Sequence, residues 1–296
     1  MKELVVISGK GGTGKTSITA AFAALAHDAV LADCDVDAAD LHIVLEPSVR
    51  ETTDFSGGKQ AVIDPTRCTG CGLCADLCRF DAIRENGSVT EAGGRTYAVD
   101  PVSCEGCKVC VEFCPAKAIG FHDAINGQWF LSDTRFGPMV HAKLGIAEEN
   151  SGKLVTLIRR KARELAEAES LDLIIADGSP GIGCPVIASI TGADVVLIVT
   201  EPTLSGRHDL ERVADLTANF GIETLLCINK ADINPEMTWQ IRAEAERRGI
   251  LVVGEIPYDE AFTKSQIMKA TVVEYTGGEI TERIKALWWH VTYALG

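Results

Sequence analysis

Cysteine is the residue whose number and spacing first suggest chemistry in this chain. Eight of the eleven cysteines lie between Cys68 and Cys114, in two runs that each read C-x2-C-x2-C-x3-C. The sequence opens on a strand-like apolar run without a secretory signal, so we expect a cytoplasmic protein whose thiols stay reduced. Closely spaced reduced thiols are good metal ligands, and the two runs therefore predict metal binding.

The two cysteine runs belong to a longer internal repeat. The second run follows the first at an interval of 36 residues, and the same interval relates other matched pairs: Asp64 and Asp100, Gly70 and Gly106, Ala82 and Ala118. A duplication of this extent indicates a folded module and not a chance cluster of thiols. We predict that residues 60–122 form this module and that it is inserted into a discontinuous domain of residues 1–59 and 123–296.

A second chemical motif lies near the start of the chain. Residues 9–16 read GKGGTGKT and satisfy G-x-x-x-x-G-K-[ST] between a strand-like run and an alanine-rich helical segment. In such a loop the backbone amides surround phosphates, a lysine neutralises the β and γ oxygens, and a hydroxyl binds Mg²⁺. The predicted nucleotide contacts are Gly9, Lys10, Gly11, Gly12, Thr13, Gly14, Lys15, Thr16 and Ser17.

Two further patterns stand at the ends of apolar runs. The run LIIAD ends in Asp177, a position at which P-loop hydrolases carry a carboxylate for Mg²⁺. Another run ends in Asn229, followed by Lys230, Ala231 and Asp232, which is the N-K-x-D pattern with which GTPases bind guanine. The chain therefore carries candidate metal and base contacts outside the phosphate loop.

The elements that must position these residues follow from hydrophobic patterning. Short apolar runs typical of buried parallel strands alternate with helical segments on both sides of the cysteine runs. This alternation predicts an α/β fold with a doubly wound, mostly parallel sheet, which binds ligands at the carboxyl ends of its strands. Residues 128–144 are expected to form a hairpin, and the apolar stripe of the last helix, residues 279–294, is expected to pack on the sheet.

Composition and charge exclude several functional classes. The 296 residues carry 46% hydrophobic side chains and a net charge of −14. A strongly acidic surface repels phosphate backbones and anionic lipids, so nucleic-acid binding is not expected. No apolar run approaches the ~20 residues of a membrane span, and stable membrane insertion is not expected either.

The string GKGGTGKT, with its second lysine at Lys10, resembles the deviant Walker A loop of the MinD/Mrp/nitrogenase-iron-protein class of P-loop ATPases. The resemblance implies a homodimer in which Lys10 reaches the phosphates of the other subunit. It implies catalytic roles for Lys10, Lys15 and Asp35, and a Mg²⁺ site of Thr16, Asp35 and Asp177. It also implies that Asn229 and the loop at Pro257 contact the base, which favours ATP over GTP.

The cysteine runs resemble those of bacterial two-cluster ferredoxins, in which the fourth cysteine of each run ligates the other cluster. The resemblance implies an α+β module with two [4Fe–4S] clusters, in which Arg79 replaces the usual proline after the first run. The implied ligands of the first cluster are Cys68, Cys71, Cys74 and Cys114, and those of the second are Cys78, Cys104, Cys107 and Cys110. The placement of Cys184 also resembles that of a cysteine that holds the bridging cluster of nitrogenase iron protein, although packing is the expected role.

Three functions remain open for an ATPase that contains such a module. The first is ATP-gated electron transfer with a redox protein or metalloenzyme as the partner. The second is delivery of an iron–sulfur cluster or metal to an apoprotein, as Mrp-type relatives do. The third is spatial regulation of the MinD type, in which the clusters are structural.

Overall fold

The computed structural model describes residues 1–26, 28–89, 94–145 and 151–296. Its internal contacts divide the chain into two compact units. The first unit contains Met1–Thr53, Trp129–Lys143 and Ser151–Gly296, and the second contains Asp54–Gln128 with a short segment that starts at Leu144. The second unit is wider than the predicted module of residues 60–122 because two long strands extend it on either side.

The strands account for most of the framework. Eleven strands occur in the described residues: β1 Lys2–Ser8, β2 Ala29–Asp33, β3 Ser48–Ile63, β4 Ile83–Val89, β5 Arg95–Val99, β6 Ile119–Thr134, β7 Gly137–Leu144, β8 Leu173–Pro180, β9 Val195–Thr200, β10 Glu223–Asn229 and β11 Leu251–Ile256. The helices in the same residues are α1 Lys15–Ala26, α2 Leu41–Leu45, α3 Leu73–Asp76, α4 Val109–Glu112, α5 Ser151–Glu169, α6 Cys184–Ile190, α7 Leu204–Asn219, α8 Pro235–Arg247, α9 Ala261–Ile267, α10 Val272–Tyr275 and α11 Glu279–Leu295.

A nine-stranded sheet has the order β11-β10-β9-β1-β8-β2-β7-β6-β3, and β4 pairs with β5 in a separate ribbon. The strands from β11 to β7 pair in parallel along this order. Parallel neighbours require crossover connections, and helices supply them between β1 and β2 and from β8 to β11. The predicted doubly wound, mostly parallel α/β sheet is therefore confirmed.

Helices cover both faces of this sheet. Alternate residues of a strand point to opposite faces, and the central strand β1 is buried on both sides. Leu4 and Val6 pack in one cluster with the apolar faces of α1 and α11, whereas Val5 and Ile7 are equally buried but lie outside that cluster. Two buried faces explain why the strands read as continuous apolar runs and not as alternating patterns.

Two local predictions are confirmed in this unit. Neighbouring strands β6 and β7 are joined by two residues, Arg135 and Phe136, and the Thr134 hydroxyl donates to the Gly137 carbonyl oxygen at 2.7 Å. The hairpin expected over residues 128–144 is therefore present. The stripe of α11 packs on the core as expected, since Ile284, Leu287 and Val291 are fully buried.

No helix in the described part of the chain is long and apolar enough to cross a bilayer.

His141 on β7 is a buried titratable group of the first unit. Its side chain bonds to Ser132 across 2.9 Å, stacks on Phe130 and is only 9% exposed. Burial, with a smaller contribution from nearby His42, lowers the pKa of His141 to about 4. The folded protein therefore keeps this imidazole neutral under conditions in which the unfolded chain binds a proton.

We expect this difference to make the fold sensitive to acid. The folded pKa of about 4 lies below the unfolded value of ~6.5, so the free energy of unfolding falls as the pH falls through that interval. The His141 contribution should amount to about 2 kcal/mol between about pH 7 and pH 4.5. Urea unfolding of the wild type and His141→Gln should show that the variant loses less stability on acidification. His290→Gln on α11 is the control, and equal acid sensitivity of all three proteins would contradict the expectation.

Candidate functional site

The glycine-rich loop joins the central strand β1 to helix α1. It forms one wall of a cavity of about 460 Å³. Gly14 has φ +93°, and a Cβ at this position would lie 2.3 Å from the Asn229 amide nitrogen. Only glycine fits both the backbone conformation and this close approach, so the loop sequence is required by the geometry of the first unit.

Lys15 lies at the base of this cavity between two carboxylates. Its Nζ is 2.8 Å from Asp177 Oδ1 and 3.4 Å from Asp35 Oδ2. Burial by itself would lower the pKa of Lys15, but the two carboxylates outweigh burial and raise it. The lysine is therefore charged and lies within reach of both carboxylates predicted for Mg²⁺.

The Asp177 carboxylate accepts hydrogen bonds from two threonine hydroxyls of α1. Thr16 donates its hydroxyl to Asp177 Oδ2 at 2.7 Å, and Thr19 donates to Oδ1 at 2.9 Å. Strand β8, which continues to Pro180 and does not end at Asp177, is thereby joined to the start of α1 through one buried carboxylate. The Thr13 hydroxyl, on the loop above, is buried and has no hydrogen-bond partner among the described residues. An unpaired hydroxyl in the lining of the cavity is a polar group that a ligand can satisfy.

Asp33, the last residue of β2, and Asp35, which follows the strand, have different roles. Asp33 is fully buried and accepts hydrogen bonds from the backbone amides of Asp35 and Leu41, so it supports the loop. Burial and then the Asp177 carboxylate raise the pKa of Asp33 well above its usual range. Burial also raises the pKa of Asp35, which lines the cavity. Of the two, only Asp35 is placed to contact a ligand.

Asn229 lies beneath the phosphate loop. Its Nδ2 donates to the Thr13 carbonyl oxygen at 2.8 Å, and its Oδ1 accepts from the Lys230 amide. The side chain is only 3% exposed. In this arrangement the amide supports the loop, and the predicted contact with adenine stays a prediction.

The opposite wall of the cavity contains residues that sequence patterns did not single out. Pro257, which was predicted, lies there beside Tyr258, Phe262 and Gln266. Gln266 on α9 donates to the Ser17 hydroxyl at 2.9 Å and so connects this wall to α1. No motif marks α9 as part of the site, because its position depends on how the end of the chain folds back onto α1.

Lys10 points away from the cavity and is held on its own chain. Its Nζ lies 2.6 Å from Glu201 Oε1 and 3.0 Å from the Ser205 hydroxyl at the start of α7. Glu201 also contacts Lys230 at 2.9 Å, and these two lysines lower the pKa of its carboxyl in spite of burial. The reach of Lys10 to another subunit therefore stays a prediction.

The second unit contains two cavities that are lined by cysteines. The cavity that we call the first is lined by Cys68, Cys71, Cys74 and Cys114. The second cavity is lined by Cys78, Cys104, Cys107 and Cys110. Each cavity thus receives three cysteines from one run and the fourth cysteine of the other run.

Backbone contacts of the second unit show the same exchange between its halves. A Cβ on Gly70 would lie 2.5 Å from the Arg95 carbonyl oxygen, and one on Gly106 would lie 2.1 Å from that of Lys59. Both glycines have positive φ and stand 36 residues apart, as do the residues they approach. The amides of Asp64 and Asp100 likewise donate to the carbonyl oxygens of Ala118 and Ala82. The repeat in sequence is therefore a repeat in structure, with each half completing the other.

The remaining cysteines lie elsewhere. Burial raises the pKa of the Cys227 thiol to about 12 and also raises that of Cys34, in keeping with packing roles. Cys184 is exposed at the start of α6. Across the described ranges, no three His, Cys, Asp or Glu side chains lie close enough to hold a single metal ion.

Comparison with known proteins identifies the family. The model of the CobQ/CobB/MinD/ParA nucleotide-binding domain matches residues 4–272. The chain belongs to this family. The match covers the phosphate loop, Asp35, Asp177 and Asn229. The predicted MinD-type P-loop class is therefore confirmed at the level of the family.

Individual relatives and structures agree with this membership. The uncharacterized protein MJ0578 of Methanocaldococcus jannaschii is 34% identical over 238 residues, which cover 78% of this chain and 79% of that protein. The septum site-determining protein MinD of Pyrococcus horikoshii, solved with Mg-ADP, superposes with a TM-score of 0.59 at 16% identity, covering 100% and 97% of the two chains. A MinC:MinD complex of Aquifex aeolicus superposes with a TM-score of 0.58 at 16% identity, and the match covers 99% of this chain and 96% of that chain. At these identities the two structures show a shared fold alone.

The placement of Asn229 leads to a test of its role. If its amide acts by supporting the loop, Asn229→Ala should weaken ATP and GTP binding alike, by about tenfold for the loss of one buried hydrogen bond. Calorimetric titration with Mg-ATP and Mg-GTP measures both affinities. Asn219→Ala, on the exposed end of α7, is the control variant. A loss confined to ATP would show instead that Asn229 recognises the base.

Proposed function

We propose that this protein is a Mg²⁺-dependent ATPase that works as a homodimer and couples its nucleotide state to two [4Fe–4S] clusters for electron transfer with a partner metalloprotein. The observation that carries the proposal is the lining of the two cysteine cavities, each with four thiols in the crossed arrangement. A nucleotide cavity in the other unit of the same chain completes the combination.

The ATPase activity rests on the charged groups around Lys15. Water attacks the γ-phosphorus, the bond to the bridging oxygen breaks, and ADP and phosphate leave. Lys15 would neutralise phosphate oxygens, and Asp35 would orient the water. Thr16, Asp35 and Asp177 supply the hydroxyl and carboxylate oxygens that Mg²⁺ prefers, and the ion would stabilise the developing charge.

The preference for ATP is supported by a hydrogen bond to one oxygen of the carboxylate in the N-K-x-D segment. Asp232 Oδ1 accepts a hydrogen bond of 2.6 Å from the Tyr258 amide and so ties the two loops of the base end together. This carboxylate is the group with which GTPases bind guanine. Its use within the fold favours ATP as the substrate.

The cluster proposal rests on the fit of the thiols. A four-iron cube holds its four thiolates further apart than a single ion does, so four cysteines around a cavity suit a cluster better than zinc. Burial and then the neighbouring thiols raise the pKa of Cys110 to about 11, and burial also raises that of Cys74. Cys71 and Cys107 are exposed, which brings both clusters near the surface, where electrons can pass to a partner.

Two alternatives remain in the proposal. The family membership and the MinD-like fold support a MinD-type regulator, in which the clusters are structural, more directly than they support electron transfer. A carrier of clusters or metal requires the same cavities but a labile cluster. The three functions differ in whether the clusters change potential, leave the protein or do neither when nucleotide binds.

The cysteine cavities lead to a direct test of cluster binding. Anaerobically purified protein should contain about eight iron and eight sulfide per chain, the content of two [4Fe–4S] clusters. Cys114→Ser should reduce this content by about half, because it removes one ligand of the first cavity. The exposed Cys184→Ser is the control and should retain the full content. Protein without iron or sulfide after anaerobic reconstitution would contradict the proposal.

The same protein distinguishes the three functions. Potentials of both clusters are measured by EPR with and without Mg-ATP, together with iron transfer to a chelator. Potentials that shift with ATP while iron is retained would support electron transfer. ATP-dependent loss of iron would support the carrier, and an ATPase that is unaffected by removal of iron would support the regulator.

Lys10 provides a test of the dimer. If it stabilises transition-state charge on the nucleotide of the other subunit, Lys10→Ala should lower the rate of ATP hydrolysis by about 10³-fold and leave ATP binding intact. Glu201→Gln removes the same ion pair from the other side and should preserve hydrolysis. Equal losses in both variants would assign the effect to the ion pair within one chain.

A further inference from the structure

The linings of the two cysteine cavities correspond in part and differ at several positions. Their cysteines correspond through the 36-residue repeat, as do the alanine and isoleucine after each run. The matched positions that differ are Thr69 and Glu105, Gly72 and Lys108, Tyr97 and Ala61, and Ala116 and Phe80, with the first-cavity residue named first. Each cavity therefore has one aromatic ring, but only the ring of Tyr97 carries a hydroxyl.

The Tyr97 hydroxyl lies against the binding loop of the first cavity. A Cβ on Gly72 would be 3.0 Å from Tyr97 Oη, so the hydroxyl occupies the space beside Gly72, between Cys71 and Cys74. In the part of the chain that the structure describes, this hydroxyl has no hydrogen-bond partner. It is a donor in the lining of a cavity whose other members are thiols, aliphatic groups and Thr69.

The differences between the cavities are coordinated. Gly72 and Lys108 occupy the same place in the repeat, and both have a left-handed backbone, with φ of 78° and 70°. A lysine at position 72 would meet the Tyr97 hydroxyl. In the second cavity the lysine occurs together with the small Ala61. The first cavity therefore combines Tyr97 with Gly72, and the second combines Ala61 with Lys108. In each cavity one long side chain lies beside one small residue.

Charge also distinguishes the two cavities. The lining of the first cavity has no Asp, Glu, Lys or Arg, whereas that of the second includes Glu105 and Lys108. The Lys108 ammonium lies 2.5 Å from Glu112 and is balanced by it. The carboxylate of Glu105 is then the remaining charge, and a negative charge disfavours the addition of an electron.

We propose that Tyr97 donates a hydrogen bond to the cluster of the first cavity and gives this cluster the higher reduction potential of the two. Hydrogen bonds to cluster sulfur stabilise the reduced form, and the carboxylate beside the second cavity acts in the opposite direction. A donor protein that gives up one electron would therefore reduce the first cluster before the second. This inference rests on the proposed function, because it requires both clusters.

The test is an anaerobic redox titration of the complete protein followed by EPR. In Tyr97→Phe the ring remains but the donor is lost, so the higher of the two potentials should fall while the lower one stays constant. The iron content should equal that of the wild type. Tyr293→Phe, on the exposed face of α11, is the control and should leave both potentials unchanged.

A reciprocal variant tests the same inference by gain of function. Ala61→Tyr combined with Lys108→Gly places the tyrosine and glycine at the second cavity. The lower potential should be higher in this double variant than in Lys108→Gly alone, which carries the same loss of positive charge. Two clusters whose potentials are unchanged in both variants would overturn the role of Tyr97 and leave the proposed function intact. A fall of the lower potential in Tyr97→Phe would overturn the assigned order. Absence of iron from the wild type would instead overturn the proposed function.

Discussion

The buried carboxylate of Asp177 is the interaction on which the nucleotide end of the first unit depends. It lies within the central strand β8 and accepts hydrogen bonds from Thr16 and Thr19, together with the ion pair from Lys15. An isolated charge at full burial is costly, so these partners are what allows the carboxylate to lie there. The same contacts hold the first turn of α1 in position and so fix the end of the phosphate loop. Phosphates and Mg²⁺ would enter a site whose charges are already in place.

The second unit depends on a different constraint, the exchange between two halves of a repeat. Each half supplies three cysteines to one cavity and one cysteine to the other. Neither half can complete a cavity by itself, so the halves must stay paired. Positive-φ glycines at Gly70 and Gly106 allow the close backbone approach that this pairing requires. Divergence within the symmetric frame, at Tyr97 and Lys108, makes the two cavities chemically unequal.

The family and the cysteine cavities bear on different parts of the function. Membership of the CobQ/CobB/MinD/ParA family concerns nucleotide binding and its chemistry, which lie in the first unit. The cysteine cavities lie wholly within the second unit. A nucleotide-binding domain and two cysteine cavities on one chain form the combination that the proposed coupling requires.

The sequence by itself determined the elements and the chemistry of single motifs. The strands and the phosphate loop follow from local patterns, because backbone conformation is largely a local property. The crossed cysteine sets are what the resemblance to two-cluster ferredoxins implies. Tertiary structure alone decided which distant residues meet. Gln266 and Phe262 reach the nucleotide cavity because α9 folds back onto α1. Asn229 supports the loop and Lys10 contacts Glu201 because the order of the strands in the sheet brings the ends of β10 and β9 close to that of β1. Such contacts depend on the packing of the whole unit, which no local pattern encodes.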